Sequence, residues 1–524
     1  MTWTNRRSVL GLSAAGAALA WSGAAWSAEH PVARTTAGRV RGYADGPINV
    51  FKGIRYGADT GPRRFEPPRP PAPWTGVRDA LAYGPACPQP GSEPNQGEDC
   101  LFLNVWTPGV RDGAQRPVMV YFHGGAYSTG SGSSPLYDGA RLARRGDVVV
   151  VTVNHRLNAF GYAYLARLGG PELAHSGAAG QLDLVLALRW VRDNIGAFGG
   201  DPSRVMVFGQ SGGGAKIATL MAMPSAAGLF HGAATMSGQQ VTASGPLNAT
   251  QRTLAWLDAL KLRPTETDRL RTLPAERLVE AMGARDPILP FGSIYFGPVL
   301  DERSLKRHPF YPDAPGQSAA IPMIIGNTHD ETRAFLGNDE SNFTVDWDGL
   351  AAKLAPNMRV DISPELVIAR YRELYPHYSP SDVLFSATTA SRSWRGAIIE
   401  AELRAQQGAP TWAYQLDFPS PAEGGRLKAF HTLDIPLVFD NTAAPGAQTG
   451  DGPDARRLAA LMSGAFIALA RTGDPNHAAL LHWERYALPR RPTMIFDAET
   501  RMADDPRGAE RELFAKVPYV QPGT

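Results

Sequence analysis

The segment Gly209-Gln210-Ser211-Gly212-Gly213 carries the strongest chemical signal in the sequence. It follows an apolar, β-rich run, Val205–Phe208, and precedes a helix-compatible run, Ala215–Met221. A serine on so sharp a strand-to-helix turn must accept strained dihedrals, and small neighbours let adjacent backbone pass closely. Its hydroxyl then projects from the turn, where the helix N-terminus favours negative charge. Such a serine can act as the nucleophile of acyl transfer. Gly-x-Ser-x-Gly also arises by chance, so the reading needs partners elsewhere in the chain.

One partner is a set of donors for the oxyanion. Gly124-Gly125-Ala126 follows the run Val118–Phe122 and His123. Small residues there let main-chain N–H groups point at a tetrahedral intermediate, and losing one such donor typically costs about 3 kcal/mol. The N–H groups of Gly125, Ala126 and Gly212 take this role, and His123 is read as a structural histidine lining the turn. The other partners are a base and an orienting acid, which follow the serine in chain order in sheets of this kind. Asp330 and Glu331 come just after Ile321–Ile325, and His431 follows a segment in which Trp412, Tyr414, Leu416 and Phe418 alternate with other residues. By spacing alone Asp330 competes with Glu331, and His329 competes with His431. His329 lies too near the candidate acid to serve easily as its separated partner.

The elements that must position these groups are legible as short apolar runs. Val118–Phe122, Val148–Val153, Val205–Phe208, Ile321–Ile325 and the alternating Trp412–Phe418 segment all read as strands. Between the second and third, Gly180–Phe198 has helical spacing of Leu182, Val185, Leu186, Trp190 and Ile195. Strand, helix, strand is the grammar of a parallel sheet with crossover helices. The predicted class is α/β, an α/β-hydrolase fold with a mostly parallel central sheet. Helical stretches at about 248–283 and 364–407 are expected to wall or lid the site.

Composition narrows the remaining classes. With 43% hydrophobic residues the 524-residue chain can bury a sizeable core, and 19% charged residues exclude a disordered solvating protein. The 52 basic and 50 acidic side chains nearly cancel, so no nucleic-acid stripe is expected. The only cysteines, Cys87 and Cys100, supply no zinc site, and no metal or organic cofactor is called for. At the N-terminus, Asn5-Arg6-Arg7-Ser8-Val9-Leu10 leads into an Ala- and Gly-rich run ending near Ala28. Paired arginines before a mild apolar run resemble a twin-arginine export signal. Gly11, Gly16, Gly23 and several serines make that run a poor spanning helix, so no stable membrane anchor is expected. The expectation is a signal over 1–28, one domain over 29–524, and a periplasmic or secreted protein. Two cysteines in an oxidising compartment can form a bridge worth on the order of 3 kcal/mol.

Motifs along nearly the whole mature chain resemble the type-B carboxylesterases, the family that includes the cholinesterases. They are Phe51–Ile54, Glu98-Asp99-Cys100-Leu101-Phe102-Leu103-Asn104-Val105, His123–Tyr127, Val153–Leu157, Phe198–Pro202 and Arg471–Pro475. The resemblance implies that Glu331 is the acid and His431 the base, that Cys87 pairs with Cys100, and that Arg64 and Glu98 form a structural ion pair. It implies hydrolysis of small to medium neutral esters through an acyl-serine. Two departures stand out. The family usually has glutamate where this chain has Gln210, and the segment between Cys87 and Cys100 lacks the aromatic that grips a quaternary ammonium. Both argue against a choline ester. A recognition module on this fold would not require Ser211, Glu331 and His431 together. An amidase or lactonase would use the same groups, because pocket shape selects the leaving group. Oligomeric state is not legible in the sequence.

Overall fold

The computed structural model describes residues 30–289, 292–521 and 523; the expected export segment lies outside them. In chain order the strands are β1 (Val32–Arg34), β2 (Arg39–Arg41), β3 (Tyr43–Asp45), β4 (Ile48–Arg55), β5 (Val77–Asp79), β6 (Phe102–Thr107) and β7 (Arg116–Phe122). They continue with β8 (Val149–Val153), β9 (Gly200–Gln210), β10 (Gly232–Met236), β11 (Met323–Thr328), β12 (Thr411–Leu416), β13 (Pro492–Phe496) and β14 (Arg501–Asp504). Eleven of them form one sheet in the order β14-β13-β12-β11-β10-β9-β7-β8-β6-β4-β3, and β1, β2 and β5 form a small separate one. Pairing is parallel from β8 through to β13 and antiparallel at both margins.

Strands β8, β10, β11 and β12 are buried along their whole length because helices cover both faces. That is why Val148–Val153 reads as an apolar run broken only by Thr152, whose hydroxyl donates to Gly132 O at 2.8 Å. Val118, Val120, Val151 and Val207 join one core layer, while Met119, Tyr121, Val150 and Phe208 join the layer on the opposite face. The expected crossover helix is Ala179–Asn194, closed by a 3₁₀ turn at Ile195–Phe198. The expected fourth strand starts two residues later than its apolar run, at Met323. Pro322 stays outside it, where its carbonyl accepts from Ala233 N–H. The 248–283 stretch resolves into helices Pro246–Ala259 and Ala275–Ala281. The 364–407 stretch resolves into Pro364–Leu374, Pro380–Thr389 and Arg395–Gln406. A π-helical segment, Ala390–Trp394, joins the last two.

The Arg64–Glu98 pair forms, with Nη2 and Oε1 2.5 Å apart, and Arg64 Nη1 also donates to the carbonyls of Leu270 and Leu273. The expected Cys87–Cys100 bridge differs: both residues are buried free thiols. They touch through a side-chain hydrogen bond, which together with burial pushes the Cys100 thiol well above its usual range. Leu157 N–H donates to the Cys87 sulfur at 3.2 Å. No helix among the described residues is long and apolar enough to cross a membrane.

Candidate active site

Ser211 sits at the end of β9 and caps the helix Gly212–Ala222, with φ 55° and ψ −124°. A non-glycine residue holds such dihedrals only where its surroundings enforce them. Here Ser211 N–H donates to Met236 O at 2.7 Å, tying the turn to the end of β10. A β-carbon on Gly212 would collide with the backbone of Ala126, so only glycine lets the serine turn and the Gly124–Ala126 turn come face to face. Gly125 holds φ 83° and Ala126 φ 52°, a left-handed backbone that turns the chain sharply after β7. Among the described residues, the N–H groups of Gly125, Ala126 and Gly212 have no protein acceptor. All three residues line one cavity of about 600 Å³ together with Ser211 and His431.

Glu331 is fully buried just after β11 and hydrogen-bonds His431 Nδ1. It also accepts from Thr328 N–H at 2.9 Å and Asn327 Nδ2 at 3.2 Å. Burial pushes its carboxyl up, but the His431 charge and hydrogen bond, with Ser237 and Thr328, outweigh that and hold it below the usual carboxylate range. A carboxylate on Nδ1–H leaves the other ring nitrogen bare as an acceptor. The rival acid is turned elsewhere: Asp330 pairs with Arg333 at 3.1 Å. The rival base His329 faces Asp417 at 3.4 Å. His123 donates from Nδ1 to Gly124 O at 2.9 Å, and burial lowers it to about 3, so it stays neutral.

Three features of the site went unassigned in the sequence. The Gln210 amide nitrogen lies 3.1 Å from His431 Nε2, and among the described residues Ser211 Oγ makes no hydrogen bond to that ring. Hydrogen bonds of this kind often tighten only when substrate binds. Lys216, fully buried on the helix after the serine, donates to His123 O at 3.1 Å and Ala126 O at 2.9 Å. Arg359 and Arg392 line the cavity from the inserted helical region. The departure at Gln210 was visible in the sequence. The other two depend on contacts that no local pattern encodes.

This assembly recurs in proteins of known kind. The profile of the Carboxylesterase family matches residues 29–514. Para-nitrobenzyl esterase of Bacillus subtilis (strain 168) is 36% identical over 499 residues, covering 92% of this chain and 98% of that protein. Phenmedipham hydrolase of Pseudarthrobacter oxydans is 35% identical, covering 87% and 93%. The crystal structure of Geobacillus stearothermophilus carboxylesterase EST55 at pH 6.2 superposes with a TM-score of 0.83 at 40% identity, over 92% of this chain and 99% of that one. The sheet, the serine turn and these full-length matches agree: the chain belongs to the carboxylesterase family and is a carboxylic ester hydrolase of the α/β-hydrolase fold.

Proposed function

We propose that Ser211, His431 and Glu331 form the catalytic triad of a two-step acyl transfer on small to medium carboxylic esters. His431 takes the proton of Ser211 as the hydroxyl attacks the ester carbonyl. Glu331 orients the ring and stabilises its imidazolium form. The N–H groups of Gly125, Ala126 and Gly212 hold the oxyanion. His431 protonates the departing alcohol, and water then releases the acid from the acyl-serine. The contact of buried Glu331 with His431 beside the Ser211 turn carries this reading. The purified protein should hydrolyse a short-chain aryl ester such as a para-nitrophenyl acetate, and Ser211→Ala should abolish that activity. Turnover at the wild-type rate by the variant would remove Ser211 as nucleophile.

The chain is read as exported through residues 1–28, in keeping with a family match that starts at residue 29. Replacing Arg6 and Arg7 with lysine should then hold the protein in the cytoplasm; normal export would refute the twin-arginine assignment. Export would also bring the touching Cys87–Cys100 pair to the disulfide oxidants of an oxidising compartment, which take two electrons and two protons from the thiols as the S–S bond forms. Thiol titration of the unfolded, exported protein should find neither thiol free.

A further inference from the structure

The cavity that holds Ser211 and His431 has an unusual charge pattern. Among the described residues, its lining contains no aspartate and no glutamate, and its two fixed charges are the guanidiniums of Arg359 and Arg392. Neither guanidinium makes an ion pair or a hydrogen bond with a described residue. Fully buried arginines elsewhere can be ion-paired, as Arg156 is with Asp183 at 2.7 Å and Arg252 with Asp286 at 2.8 Å. Arg392 lies over the face of Phe335, 5.3 Å from the ring centroid. Phe335 in turn packs on His431 with centroids 4.7 Å apart. One cation therefore stands a single aromatic ring away from the base.

Backbone geometry makes this placement costly for the fold. Arg359 holds φ 55°, a left-handed conformation that a long side chain rarely adopts. Arg392 lies in the π-helical segment Ala390–Trp394, which interrupts the helices on either side of it. Segments of that kind recur at functional sites. Two like charges brought together in a partly dry cavity repel each other and forfeit hydration, unless an anion joins them.

We propose that Arg359 and Arg392 form a carboxylate-binding subsite, and that the enzyme favours esters carrying a free carboxylate on the acid or the alcohol half. The proposal rests on the Ser211 esterase reading and names the substrate class of that site. Burial lowers both guanidiniums below their usual range, Arg392 to about 9, and the Arg359 charge lowers Arg392 further, as expected of a cation lacking a counter-ion. The carboxylate that Arg392 senses, Glu331, is already bound to His431. A guanidinium presents paired N–H donors that match both oxygens of a carboxylate, and such charge-assisted bonds are about twice as strong as neutral ones. The same field disfavours a cationic ester, in agreement with the missing aromatic between Cys87 and Cys100.

Two matched ester pairs test the proposal. Monoethyl adipate against ethyl hexanoate places the charge on the acid half. 6-Acetoxyhexanoate against hexyl acetate places it on the alcohol half. The measurement is kcat/KM by acid release in a pH-stat at low and high salt. In at least one pair the charged ester should be favoured by about 10-fold or more, less so at high salt. In Arg392→Gln and in Arg359→Gln that ratio should fall by about 10-fold, with partial recovery in the lysine variants. A second readout needs no variant: adipate should inhibit the wild-type enzyme competitively, and neutral adipamide should not. Cleavage of both neutral esters with no preference for either charged partner, or a preference that survives both glutamine variants, would overturn the subsite and leave the esterase reading standing. Failure on all four esters would overturn both.

Discussion

Lys216→Met is the substitution through which the structure makes its most demanding prediction. Lys216 is fully buried, and its charge faces two backbone carbonyls instead of a carboxylate. Burial alone lowers it to about 7. In the unfolded chain a lysine titrates near about 10.4. Between those values the unfolded state binds more protons, so wild-type stability should rise with pH across that window. The slope approaches about 1.4 kcal/mol per pH unit, and the whole window amounts to something of order 4 kcal/mol. Methionine matches the lysine stem to Cε, lacks the terminal nitrogen and carries no charge, so the variant should lack this slope. At pH 7 it escapes the burial cost but leaves the carbonyls of His123 and Ala126 without their donor, at about 1–3 kcal/mol each. These terms nearly cancel, and the variant should fold with wild-type-like stability at pH 7.

Activity should not survive so well. The two carbonyls belong to the turn that presents the N–H groups of Gly125 and Ala126. Without its anchor that turn can shift, and misplacing oxyanion donors costs up to about 3 kcal/mol. The expected loss in kcat is about 10- to 100-fold, or about 1.4–2.7 kcal/mol, with KM little changed. The assay is kcat and KM on a short-chain aryl ester, with urea unfolding of both proteins at pH 7 and 9.5. Reading the difference between the proteins cancels other groups in the window, such as Glu400, which burial pushes up to about 8. A variant with kcat within about two-fold of wild type would refute Lys216 as the anchor of the turn. An identical pH slope in both proteins would refute the buried charge.

Other substitutions separate roles around the base. Gln210→Glu would put a carboxylate beside His431 Nε2 and favour the imidazolium, so the acid limb of the kcat/KM profile should move up by about 1–3 pH units; an unmoved limb would show that residue 210 does not sense the ring. Glu331→Gln should cut kcat by about 10³–10⁴-fold, because the amide can hold the wrong tautomer and cannot stabilise the imidazolium. Asp330→Asn, which loosens only the Arg333 ion pair, should be far milder, and the reverse ranking in side-by-side kinetics would make Asp330 the acid. Gly212→Ala drives a β-carbon into the Ala126 backbone, so kcat should collapse; near-normal kcat would mean that the two turns do not work as one oxyanion hole.

The parts of this fold that were legible are those where one physical demand dominates the local sequence. A parallel strand covered on both faces must be apolar throughout, and β7, β8 and the second half of β9 announce themselves that way. The opening Gly200–Arg204 of β9 is polar and partly exposed and carries no such mark. β3 and β14 lie at sheet margins with exposed faces, so their pattern is not distinct from loop. Asp330 and Glu331 are adjacent, and spacing cannot choose between neighbours. The chain's turn after β11 decides, sending one carboxylate inward to His431 and the other to Arg333.

Charge around the serine was hardest to read, because it is assembled from separate parts of the chain. Gln210 ends a strand, Lys216 lies in the next helix, Arg359 in a loop and Arg392 in a π-helical segment. Gln210 stands out in the sequence, but Lys216, Arg359 and Arg392, each taken alone, are unremarked polar residues. Together they act in one direction. Position 210 holds a neutral amide and not a carboxylate, one buried ammonium backs the Gly124–Ala126 turn, and two guanidiniums face the cavity without counter-ions. Every one of these features makes the space around Ser211 more positive than glutamate and neutral side chains would. A site biased that way stabilises the oxyanion formed in the reaction and disfavours a cationic substrate. The charge absent from its lining is the negative charge that a carboxylate-bearing ester would bring.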